Sequence, residues 1–158
     1  MVKSEVFLEA CQKCKAACCK LGGPDFSKKE MKQTLKAGFP NHFVKISKNH
    51  YELRCKKGVC PYLNKDYSCK IHKVKPLMCL CWPIGVDLEK NKKTLYLFKC
   101  PITKLLSKEA IKEFKKEAAK LPNEMLREAW CEGKTKLSKA ELKRIMKRFH
   151  KFKKKRLR

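Results

Sequence analysis

The chain has 158 residues, 41 lysines and arginines against 15 aspartates and glutamates, a formal net charge of +26, and 11 cysteines. That length suits one domain with an appendage, and the charge points to polyanions, nucleic acid first and an anionic membrane face second, unless it reflects a lysine-rich proteome. No apolar stretch approaches the roughly 20 residues of a membrane span, and Glu5 and Glu9 interrupt any cleavable apolar leader, so a cytoplasmic and reducing location is expected.

Apolar residues at helical spacing, Val6, Phe7, Ala10 and Cys14, predict a helix from Ser4 to about Lys20 that ends at Gly22-Gly23-Pro24. Ser27 and Glu30 form a capping box, which opens a second helix running to Ala37 and stopping at Gly38, with Met31 and Leu35 facing inward. Alternating segments 43–46 and 51–55 around Ser47-Lys-Asn-His50 read as a β-hairpin. A second hairpin is expected from 84–88 and 94–98. Between the hairpins, Pro61, Pro76 and Pro83 forbid a continuous helix and predict a loop folded around its ligands. After Pro101 the pattern turns helical. Ser107 caps a helix with Ile111, Phe114, Ala118 and Leu121 on one face; a short helix with Met125, Leu126, Ala129 and Trp130 follows; Ser138 and Glu141 box the start of a last helix striped by Leu142, Ile145, Met146, Phe149 and Phe152. The basic tip from Lys147 to Arg158 is expected to fray.

All cysteines but Cys131 lie between Cys11 and Cys100. An odd count at close spacing in a reducing compartment argues for metal binding over disulfides. Cys11-x-x-Cys14 is a metal hook, Cys69-x-x-His72 has similar geometry, and Cys79-Leu-Cys81 adds two more thiols. A second Cys-x-x-Cys hook is missing, and Cys60-Pro61 and Cys100-Pro101 carry the cysteine-proline step seen in ferredoxins. These features favour an iron-sulfur cluster over zinc. Ten clustered cysteines exceed one site, which leaves a second centre or buried thiols, and Cys55, Cys81 and Cys131 fit the buried-thiol reading.

Cys11-x-x-Cys14-x-x-x-Cys18-Cys19, Cys60-Pro-Tyr-Leu63, Cys69 to Pro83 with Pro76 and Cys79 inside it, and Cys100-Pro101 together resemble the YkgJ-type cysteine-cluster family, whose signature is CxxCxxCC and whose members are described as zinc- or iron-chelating. The resemblance covers about residues 8–101. It implies a ligand set of Cys11, Cys14, Cys18, Cys19, Cys60, Cys69, Cys79 and Cys100, framed by Pro76 and Pro83. Three departures stand out: an extra residue between Cys14 and Cys18, His72 where an aromatic is usual, and Lys75 in place of arginine.

The expected fold is α+β, a small cysteine-rich, loop-rich metal-binding domain with short hairpins at 1–101 and a basic helical C-terminal extension at 102–158. The expected function is a metal-binding protein holding a [4Fe-4S] cluster, or zinc, in a structural or electron-transfer role with a redox or protein partner. A second reading is a zinc-braced nucleic-acid module in which Lys147, Arg148, Lys151, Lys154, Lys155 and Arg156 contact RNA or another polyanion, with Phe149 and Phe152 in the core. A third is part of a methyltransferase-like enzyme, because related cysteine-cluster domains resemble parts of flagellin lysine methylases. Against it, six glycines and no Gly-x-Gly-x-x-Gly leave no nucleotide cradle, and His42, His50, His72 and His150 sit in unrelated contexts.

Overall fold

The computed structural model describes residues 5–128 and 137–158. Ala129, Trp130 and Cys131, assigned above to a helix and a buried thiol, lie outside the described residues.

The first expected helix is broken in two. Helix α1 spans Glu5–Lys13 and closes in a Schellman motif, in which Lys15 and Ala16 take left-handed backbone angles (φ 55 and 48) and their amides donate to Gln12 O at 3.0 Å and Cys11 O at 2.8 Å. A 3₁₀ turn, Ala17–Lys20, then carries Cys18 and Cys19 back over the end of α1. The extra residue between Cys14 and Cys18 falls inside this reversal, which occurs without glycine and so carries no breaker signal.

Helix α2, Lys28–Lys36, has the expected capping box, with the Ser27 side chain accepting from the Glu30 amide. It stops at Gly38 (φ 87) in a second Schellman motif, where the Gly38 amide donates to Leu35 O and the Phe39 amide to Thr34 O. Met31 and Leu35 pack on the first core as the spacing requires. Strands β1 (Phe43–Ser47) and β2 (His50–Leu53) form the first hairpin, with Phe43 opposite Leu53 and Ser47 opposite His50.

Residues 54–83 are mainly turns, with 3₁₀ turns at Lys56–Gly58 and His72–Val74 and a four-residue helix, α3 (Leu77–Leu80), starting at Pro76. Strands β3 (Ile84–Glu89) and β4 (Lys92–Phe98) make the second hairpin, with Ile84 opposite Leu97. Lys90 and Asn91, both at positive φ, supply its tight turn. A 3₁₀ turn, Pro101–Leu105, leads into α4 (Lys108–Ala118), capped by Ser107, then α5 (Asn123–Glu128) and α6 (Lys139–Phe149), capped by the Ser138 and Glu141 box.

The basic tip does not fray. Lys154–Arg156 form β5, antiparallel to β4, with Lys154 opposite Phe98 and Arg156 opposite Tyr96. Lys154 stands 4.1 Å from the Tyr96 ring centroid and 3.3 Å from the Asp87 carboxylate, and the Leu157 amide donates to Leu95 O at 2.8 Å. Pairing with an unfilled strand edge, a non-local contact, outweighs the local charge repulsion.

Two cores result. Phe26, Phe43, Leu53, Cys55, Cys60, Tyr62 and Ile71 fill the first, between α2 and the first hairpin, with Phe26 and Phe43 edge-to-face at 4.8 Å. Cys81, Ile84, Phe114 and Ala118 centre the second, joined by Val86, Leu97 and Leu157. Beside it Trp82 stacks on Phe98 at 5.1 Å, and Phe149 and Phe152 meet that pair edge-on. Those two phenylalanines are therefore packed rings, as their spacing on the apolar stripe implies. Gly85 is fixed by this stack, because a Cβ there would overlap the Phe98 ring.

Candidate metal centre

Four segments bring Cys19, Cys60, Cys69 and Cys79 near one another, the first three against the first core. The Cys60 amide donates to Cys19 O at 2.8 Å, which ties the 3₁₀ turn to the segment entering Pro61. Cys69 pairs with Leu63 in an isolated bridge, and the Lys70 amide donates to Tyr62 O at 2.8 Å. Cys79 sits on α3, whose first amide, that of Leu77, donates to Glu30 Oε1 at 2.7 Å. Glu30, the N3 partner of Ser27 in the α2 capping box, thus caps a second helix with its other oxygen and fixes the turn that presents Cys79.

Cys60 is buried, and Cys19, Cys69 and Cys79 are half-buried. Burial pushes the Cys60 thiol up to about 12, and the nearby sulfurs of Cys19, Cys55 and Cys69 push in the same direction. Cys79 is raised for the same reasons, burial first and then Cys19, Cys60 and Cys69, while Lys75 acts against the rise. Lys75 brings a cation to this thiol. Cys18 is raised by its hydrogen bond with Cys19, then by burial, then by the charges of Cys19, Cys79 and Cys11. Held in the neutral form in this way, Cys18, Cys60 and Cys79 are thiols that a soft cation can deprotonate and bind.

Cys11, Cys14, Cys18 and Cys100 line a cavity of about 410 Å³ beside this cluster, with Trp82 and Phe152 among its walls. The remaining thiols behave as small core groups. Cys55 donates to Gly22 O at 3.0 Å inside the first core, and Cys81 is fully buried in the second. His72 is exposed on its 3₁₀ turn.

Among the described residues, Asp25, His50 and Glu52 bring an imidazole nitrogen and two carboxylate oxygens within 4.8 Å of one another. His50 is fully buried, with Nε2 at 2.7 Å from Asp25 and Nδ1 at 2.6 Å from Glu128. Burial lowers its pKa, but the hydrogen bonds to the two carboxylates outweigh that and, with the charges of Asp25 and Glu52, raise it to about 9. The ring is an imidazolium strut with both nitrogens engaged. It anchors α5 to the hairpin, where Ser47 also donates to Glu124 at 2.6 Å. The Asp25 amide donates to Met78 Sδ at 3.4 Å, so the strut is linked to the residue preceding Cys79. Sequence spacing could not reveal it, since Asp25 and Glu128 lie 25 and 78 positions from His50.

The six basic residues assigned to nucleic acid are spread over α6, β5 and the bend between them. Arg148 donates to the carbonyls of Lys20 (3.0 Å) and Lys57 (2.9 Å), and Lys151 lines the thiol cavity. Lys154, Lys155 and Arg156 are the exposed residues of β5, and Lys147 is exposed on α6. No helix is long and apolar enough to cross a membrane among the described residues.

A family model, CxxCxxCC, described as "putative zinc- or iron-chelating domain", matches residues 10–101. No curated protein and no solved structure matches the chain.

Proposed function

The chain belongs to the CxxCxxCC family, and from that premise we propose that it is an iron-sulfur protein whose centre is held by Cys19, Cys60, Cys69 and Cys79 and serves electron transfer. The observation that carries this reading is convergence: Cys19, Cys60, Cys69 and Cys79 come from four separate segments and act on one another's ionisation. Four cysteines are the number a [4Fe-4S] cluster takes, one thiolate on each iron.

When bound, such a centre supplies one-electron storage. The chain's own residues hold the thiols and limit water. Tyr62 and Ile71 pack beside Cys60, the Cys60 to Cys19 backbone hydrogen bond fixes two ligands, and Glu30 orients the third through α3. Lys75 offsets part of the negative charge near Cys79. The test is oxygen-free purification with iron, zinc and acid-labile sulfide assays, followed by a redox titration of the visible spectrum. Equal iron and sulfide with reversible bleaching is expected. A colourless protein with stoichiometric zinc overturns the iron reading, and a cluster that cannot be reduced and reoxidised overturns the electron-transfer role.

A further inference from the structure

We infer that a basic groove, formed where α1, the Pro101–Leu105 turn and the end of α6 meet, binds single-stranded nucleic acid through its phosphates. The cavity of about 410 Å³ and a second of about 520 Å³ share Lys99, Cys100 and Pro101 on their walls, and so form one continuous recess. Helix α1 packs directly on the Pro101–Leu105 turn, which gives the recess a fixed floor. Arg148 secures the opposite side through its bonds to the carbonyls of Lys20 and Lys57.

The sign of the walls identifies the occupant. Lys13, Lys20, Lys99, Lys104, Arg148 and Lys151 line the two cavities, and among the described residues Glu9 is the one carboxylate with them. A concave surface lined by one sign of charge focuses the field, so these cations attract an anion more strongly than the same number spread over a convex face. Lys13, Lys99, Lys104 and Lys151 are exposed, and their ammonium groups can reach phosphates. Each cavity has the size that one small ligand fills, and two joined suit a chain of repeating anionic units. Apolar surface lies between the cations. Trp82 and Phe152 stand on the wall of the first cavity and Leu105, 46 % exposed, on that of the second. A charged groove that tracks a backbone, with rings for bases to lie against, is the arrangement that single strands require. A duplex keeps its bases paired and cannot turn them into such recesses, and a bilayer face is too flat to follow them. Of the six basic residues assigned to nucleic acid from the sequence, Arg148 and Lys151 line this groove, whereas Lys147, Lys154, Lys155 and Arg156 do not.

The experiment is fluorescence anisotropy of a labelled single-stranded RNA of mixed sequence with the full-length protein, purified without oxygen, between about 50 and 200 mM salt. Two variants lose the same charge: K99Q/K104Q/K151Q in the groove and K108Q/K112Q/K116Q on the exposed face of α4. The groove variant is expected to bind about tenfold or more weakly, with a log-log salt slope shallower by about 2, as three lost phosphate contacts require. The α4 variant is expected to stay within about twofold of wild type. Equal losses in both variants overturn the groove, because binding then reports overall charge. Absence of wild-type binding at about 50 mM salt overturns the interface altogether. Equal affinity for a duplex of the same sequence overturns the single-strand assignment, and tighter, groove-dependent binding to phosphatidylserine vesicles overturns nucleic acid in favour of a membrane face. None of these outcomes bears on the metal content, so the iron-sulfur reading is tested separately.

Discussion

Replacing His50 by glutamine should remove a pH-dependent part of the stability. The folded state raises His50 from 6.5 to about 9, which at about 1.4 kcal/mol per pH unit corresponds to about 3 kcal/mol. Because the folded value is the higher one, the contribution is complete below pH 6.5, declines between 6.5 and about 9, and is absent above that. His50→Gln also leaves Asp25 and Glu128 without their cation, and breaking a buried pair costs about 3–5 kcal/mol. Urea unfolding of both proteins at pH 6, 7.5 and 9.5 is the assay, with the difference in free energy as the readout. Thiol ionisation at high pH affects both proteins and cancels in that difference. The variant should be less stable by roughly 3 kcal/mol at pH 6, and the gap should shrink towards pH 9.5. A gap that stays constant across this range refutes the imidazolium strut.

Glu30→Ala removes the carboxylate half of the α2 capping box and the acceptor for the Leu77 amide, and should cost about 2–3 kcal/mol in thermal or chemical unfolding while hastening metal loss to a chelator. Gly85→Ala places a methyl group against the Phe98 ring; a loss of about 1–3 kcal/mol with altered tryptophan fluorescence is expected, since Trp82 stacks on that ring. Arg148→Ala releases two carbonyls and should cost about 2 kcal/mol and speed proteolysis at α6, seen by timed digestion. Stripping metal with a chelator should lower the Tm by about 5–10 °C, as expected for a ligand held about a hundredfold above its Kd.

The elements legible in the sequence are those with local causes. Ser27 with Glu30, Ser138 with Glu141, and Gly38 state helix ends through their own side chains or backbone freedom, and both hairpins follow from alternation around polar turns. The break at Lys15-Ala16 left no trace, because lysine and alanine are good helix formers and the reversal is imposed by packing, with Ala16 buried. Strand β5 was equally hidden, since Lys-Lys-Arg has no strand preference and its pairing is set by the open edge of β4. The cysteine order identified the family. Which thiols face the core and which the cavity depends on how the 3₁₀ turn divides two adjacent side chains, a distinction that spacing does not encode.

Strand β5 also bears on how so cationic a chain avoids clumping. Without it, β4 would offer an open row of amides and carbonyls to any passing strand; with it, the outermost ribbon is Lys154, Lys155 and Arg156, all solvent-facing. A second copy approaching edge-on would meet its own positive charges head to head. The surplus of lysine and arginine that first suggests a partner thus doubles, at this one border, as a guard against self-association.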